Sequence, residues 1–210
     1  MADFDDDEEY DSFDLSRDDD RADTDDAAAG DQDDADDDLD DDYDDDFIDD
    51  ALADDIDLVI GAYREDGQPV AVAMNLDLAN DLDELINQLR RQPADAGVIG
   101  FVSLVEDVFV IVRVRGRNVQ ALLSDAGAAN DWPIARDVAD FLGEDPPEDD
   151  EDDDSAPMGD IGILADLGVR EEEMELICED FDSSSTELLM RIADRIGMGA
   201  AFNRALESFE

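Results

Sequence analysis

Arg113-Val114-Arg115-Gly116-Arg117 is the one place in this 210-residue chain where arginines alternate through β-forming sequence. Alternate residues of a strand stand on one face, so guanidinium groups at this spacing form a row that can grip a phosphate or carboxylate through paired N–H donors. The same row fits a solvated strand end, or an intramolecular contact with the acidic tail. Acidic residues are plentiful: 66 Asp and Glu stand against 13 Lys and Arg, a net charge of −53. A potential this negative repels an anionic ligand at long range. Trp132, in Asp131-Trp132-Pro133, is the lone tryptophan. It suits a partner hot spot, and equally a core or capping place where a helix starts.

Other chemistries find little support. The chain has no histidine, the commonest general base near neutral pH. All its basic residues are arginine, so lysine-dependent nucleophiles are excluded, and neither Gly-x-Ser-x-Gly nor Gly-x-Gly-x-x-Gly occurs. Carboxylate pairs are so abundant that none stands out. An EF-hand loop counted from Asp36 places Asp41 and Phe47 where glycine and glutamate are required. Zinc lacks ligands, with no histidine and one cysteine. That cysteine, Cys178, lies among Met174, Leu176 and Ile177 and reads as a buried small hydrophobe. It also excludes an intrachain disulfide framework. The expectation is a protein with no catalytic residue, no cofactor and no metal site.

The row of arginines sits within the most apolar stretch, Gly97–Asp125. This reads as three antiparallel strands over 98–105, 108–115 and 118–124, broken at Glu106-Asp107 and Gly116-Arg117-Asn118. Val108, Val110, Val112 and Val114 share one face of the middle strand; Phe109, Ile111, Arg113 and Arg115 share the other. The first strand is apolar on both faces and belongs at the centre of a sheet. Upstream, Asp66-Gly67 between β-rich runs from Ile56 to Asn75 predicts a hairpin. Asp81 with Glu84 has capping-box spacing ahead of a helix over 82–91, ended by Pro93. Downstream, a short helix follows Ser124-Asp125. A second runs over 132–142, with Ile134, Val138, Phe141 and Leu142 as its buried face and Gly143 as its stop. The order β-β-α-β-β-β-α predicts an α+β fold with a five-stranded, mainly antiparallel sheet. Residues 160–209 read as three or four short helices, a C-terminal bundle that docks on the sheet or on a partner; Ser184 and Glu187 form a capping box.

Charge divides the chain. Residues 1–55 hold 30 acids and 2 arginines, and 14 of the 20 residues from Asp31 to Asp50 are acidic. Such a segment buries too little apolar surface to offset its ordering entropy, so a disordered acidic tail is expected. Extended, it carries roughly one charge per 5 Å, within a factor of about two of a nucleic-acid strand. The sheet domain spans 56–143, an acidic linker 144–158 and the small helical region 159–210. The N-terminus lacks the basic and apolar regions of a signal peptide. No apolar run reaches the roughly 20 residues of a membrane helix. A cytoplasmic protein without membrane contact is expected.

Several blocks in order resemble the actinobacterial tRNA adenosine deaminase-associated proteins: Leu82-Asp83-Glu84-Leu85, Phe109–Gly116, Leu122–Asp125, Asp131-Trp132-Pro133 with Ala135-Arg136, and Gly159–Gly168. Together they cover about 56–210. The resemblance implies a position beside a tRNA adenosine deaminase and supplies no catalytic residue. Such deaminases use zinc with a glutamate, and this chain has neither His-x-Glu nor Cys-x-x-Cys. The expected function is therefore a non-enzymatic binding or regulatory protein, a candidate partner of that deaminase or of another basic nucleic-acid-binding protein. Its tail would compete electrostatically with nucleic acid, and Arg113, Arg115, Arg117 and Trp132 are the candidate contact residues. A general nucleic-acid mimic and a small-ligand sensor using the Arg113 face are the alternatives. Nothing in the sequence sets an oligomeric state.

Overall fold

The computed structural model describes residues 48–147 and 156–209. Of the acidic tail expected to be disordered over 1–55, residues 1–47 lie outside the described residues, as do residues 148–155 of the expected linker 144–158.

Alternating and continuous apolar runs fold into strands β1 (Ile56–Glu65), β2 (Gln68–Ala73), β3 (Val98–Leu104), β4 (Val108–Arg115) and β5 (Asn118–Leu123). A sixth, β6 (Met158–Gly159), joins them. The sheet order is β2-β1-β3-β4-β5-β6, antiparallel at every pairing. The fold is α+β as the sequence predicts, with one correction: the sheet has six strands, not five. Two residues have no periodicity to read, so β6 is visible only through its pairing of Leu122 with Gly159 and Leu123 with Met158. At Gly159, φ is +102° and an added Cβ would lie 2.4 Å from the Ala121 carbonyl oxygen, so only glycine fits this edge.

β3 is central and buried at all seven positions, as its two apolar faces require. Each face of the sheet carries a helical layer. On one lie α1 (Leu82–Arg90) and α2 (Pro133–Leu142), packed on Val59, Val102, Val110 and Val112. α1 opens with one half of the expected capping box: Asp81 accepts the Glu84 amide at 2.8 Å, while the Glu84 carboxylate accepts from Gln88 Nε2 at 2.7 Å. Its Leu89 drops onto Gly61 and Gly100, paired across β1 and β3, where a Cβ on Gly100 would lie 2.8 Å from the leucine. α2 departs from expectation in one residue. Ile134, Ala135, Val138 and Ala139 are buried while Phe141 is 45% exposed. The two alanines bring the helix close to the sheet and centre its buried stripe on them, which turns Phe141 to the rim.

The other face receives α3 (Glu171–Cys178), α4 (Ser185–Arg195) and α5 (Gly199–Leu206). These are a layer on the sheet and not a bundle with its own core. Leu189, Ile192 and Phe202 pack with Phe101, Phe109 and Ile111. Phe101 and Phe202 meet edge to face, centroids 5.4 Å apart. About fifty residues make a marginal core alone, and docking on the sheet supplies the missing apolar surface. Ser184 and Glu187 form the predicted capping box at the start of α4.

Order extends upstream of β1. The Ala51 amide donates to Asn80 Oδ1 at 2.8 Å and its carbonyl accepts from Asn80 Nδ2 at 3.0 Å, fastening the segment before β1 to the body.

Candidate partner-binding surface

Strand alternation sends Arg113 to the face of β4 that carries Phe109 and Ile111, beneath the C-terminal helices. There it is 6% exposed. Nη1 donates to the Ile163 carbonyl at 2.7 Å and to Asp166; Nη2 donates to Asp166 Oδ2 at 2.8 Å. The paired-donor grip expected of this residue therefore closes on a carboxylate of the chain itself. Asp166 belongs to a short 3-10 turn, Ala165–Leu167, terminated by Gly168 at φ +110°. The Arg113 guanidinium holds its carboxyl below the usual range, outweighing a smaller opposite push from partial burial.

The three arginines do not act as one row. Arg115 is exposed, lies 3.6 Å from Asp166 Oδ2 and donates to Gln120 Oε1 at 2.7 Å. Arg117 occupies the β4–β5 hairpin tip, exposed. Arg115 and Arg117 are exposed; Arg113 is not. The internal counter-charge of Arg113 is Asp166, within the Gly159–Gly168 block.

Trp132 stands at the N-cap of α2, half-buried against the core. With Arg136 and Asn130 it also lines an open cleft of about 860 Å³ against residues 48–55.

Two polar clusters escaped the sequence reading. Ser103, fully buried in β3, donates to Asp57 Oδ2 at 2.8 Å and lies 2.7 Å from Ser185 Oγ. This network pins the start of α4 to the sheet; its signal was the single polar residue in an otherwise apolar strand. Around the start of α1, Asp81, Asp83, Asp137 and Asp140 line a cleft beside Phe141. Asp137 accepts the Leu82 amide at 3.0 Å. Burial, and then the neighbouring carboxylates, push its carboxyl upward against that hydrogen bond. Among the described residues, no group of three or more His, Cys, Asp or Glu is placed to hold a metal ion, and no helix is long and apolar enough to cross a membrane. Cys178 is buried, and burial pushes its thiol up to about 12.

A family model described as Rv3753c-like tRNA adenosine deaminase-associated protein matches residues 57–199. The chain is 33% identical over 149 residues to "Protein Rv3753c" of Mycobacterium tuberculosis, an alignment covering 70% of this chain and 86% of that protein. No solved structure matches the chain.

Proposed function

We propose that this chain, which belongs to the Rv3753c-like tRNA adenosine deaminase-associated protein family, is a non-enzymatic binding or regulatory protein whose partner is a tRNA adenosine deaminase. The observation that carries the reading is the separation of charge from shape along the sequence. Thirty acidic residues precede Ile56, and the family match begins immediately after them, at residue 57. The matched part supplies a shaped body, and the preceding part supplies charge. A tRNA-binding enzyme holds phosphates with basic side chains. A polyanionic stretch of this acidity competes for that surface without base-specific contacts. The body docks beside it, with Arg115, Arg117 and Trp132 as the contact residues and Arg113 supporting Arg115 from within.

The small-ligand alternative loses its anion grip, because the Arg113 fork is occupied by Asp166. The general-mimic alternative differs from the adaptor in needing only the tail. Affinity capture of the tagged full chain from native lysate, followed by mass spectrometry, tests the partner. Recovery of the deaminase is expected; capture of other nucleic-acid-binding proteins without it would defeat the assignment.

A further inference from the structure

Three hairpins fold this sheet, and two of them use glycine at the turn. Asp66 and Gly67 take φ of +50° and +74° between β1 and β2, and Gly116 takes +62° between β4 and β5. The β3–β4 turn does otherwise. Val105 and Glu106 both adopt the left-handed conformation, at φ +48° and +58°. The Asp107 amide closes the turn on the Leu104 carbonyl at 3.0 Å. Two-residue turns of this kind favour Asn-Gly or Asp-Gly, and a β-branched residue at positive φ is a genuine outlier.

The strained turn is gripped from outside. The Val105 amide donates to the Asp55 carbonyl at 2.8 Å, and the Glu106 amide donates to Asp57 Oδ2 at 2.7 Å. The Glu106 carbonyl accepts from the Ser185 amide at 2.9 Å. Three separate hydrogen bonds thus hold a conformation that valine disfavours, yet its side chain is 42% exposed and fills no core. The segments that supply those bonds carry the two most exposed large apolar residues described, Leu52 at 69% and Phe181 at 72%. Leu52 is tied to Asp55 through reciprocal hydrogen bonds, and Phe181 lies four residues before Ser185. Isolated exposed apolar residues are ordinary. An exposed valine held under strain, linked to two more, is not.

The charge around this end is mainly negative. Segments 48–57, 104–108 and 179–187 contain no arginine, while Asp54, Glu106, Asp107, Glu179 and Asp182 are exposed. Arg191 of α4, which reaches the last of these segments, is paired with Asp180 at 3.0 Å. The sequence preceding Ile48, four residues before Leu52, is strongly acidic. Charge complementarity therefore selects the occupant: a protein face bearing Lys and Arg around an apolar hollow.

From this geometry we infer that the Val105–Glu106 turn, with Leu52 and Phe181, is an apolar docking tip for the basic, nucleic-acid-binding face of the partner. The inference rests on the proposed function and adds a further contact, at the end of β4 opposite Arg115 and Arg117. Under it the acidic stretch supplies long-range attraction, and the tip supplies short-range fit. Valine stands where asparagine would fold more easily, because the tip needs an apolar side chain.

The test measures stability and binding together, on the full chain, with the purified tRNA adenosine deaminase of the source organism as probe. Val105→Asn relieves the turn and removes the apolar tip. It should raise Tm by about 3 °C and weaken deaminase binding about tenfold or more. Phe181→Ser should weaken binding with Tm unchanged. A Val105→Asn variant that is more stable and binds as wild type overturns the docking tip while leaving the proposed function intact. A lower Tm overturns the premise that the turn is strained. Conversion of a dimer to a monomer by Val105→Asn, seen in sedimentation velocity, would assign the tip to a second copy and overturn the inference. Failure of the wild-type chain to bind the deaminase defeats both readings.

Discussion

Arg113 on β4 and Asp166, 53 positions later in the turn before α3, form the one ion pair among the described residues whose cation is buried. It joins the sheet to the loop that leads into its second helical layer. Because Asp166 is 54% exposed, the pair is worth less than a wholly desolvated one. Removing the carboxylate still strands a buried guanidinium. Asp166→Ala should therefore destabilise the fold by about 1–3 kcal/mol. Adding Arg113→Met should recover part of that loss, since methionine fills the space without charge. The folded carboxyl lies below its ordinary 3.8, so its contribution is full above that value and fades as pH falls through the lowered one. Urea titrations of wild type and Asp166→Ala should converge in acid.

Asp137 has the opposite sign. Its folded carboxyl is raised by burial and by Asp81, Asp140 and Asp83, so it favours folding while protonated and loses that contribution as pH rises through the folded value. In the Asp137→Asn variant the side-chain amide oxygen would still accept the Leu82 N–H, without the charge. This substitution should raise Tm at neutral pH by about 2 °C, and the gain should vanish below the ordinary carboxylate range. Thermal melts across pH check this.

The attachment of the C-terminal layer depends on Phe202, fully buried and edge-on to Phe101. Phe202→Ala should cost about 3–5 kcal/mol, read by denaturant unfolding. Dye binding to the uncovered sheet face should rise in the same variant.

Cys178 should resist thiol reagents in the native chain, because its thiol is buried and pushed up to about 12. Labelling should proceed at the rate of unfolding and accelerate with urea.

Periodic features were legible in the sequence. Five strands, the Asp81 and Ser184 caps, the central place of Val98–Leu104 and the burial of Cys178 all follow from local pattern, because each depends on neighbours within one or two turns of chain. What failed was non-local. β6 is too short for a period and exists only as a partner of β5. Phe141 left the core because Ala135 and Ala139 set how α2 approaches the sheet, a packing decision no helical count contains. Arg113 lies on the strand face that alternation assigns it. Which group would meet it depended on a loop 53 residues away. The candidate surface was half legible for the same reason: Arg115, Arg117 and Trp132 stand out by type, whereas the tip at Val105 is invisible until its backbone angles are known.

The central claim, that a shaped body binds the deaminase while acidic sequence adds charge, is tested most directly by calorimetric titration of purified tRNA adenosine deaminase with the full chain and with a chain lacking residues 1–47, each at low and at roughly 0.15 M salt. Both chains should bind at the higher salt, with affinities within about tenfold, and the full chain should lose affinity more steeply as salt rises. Loss of all binding on removing residues 1–47, or no binding by either chain, would contradict it.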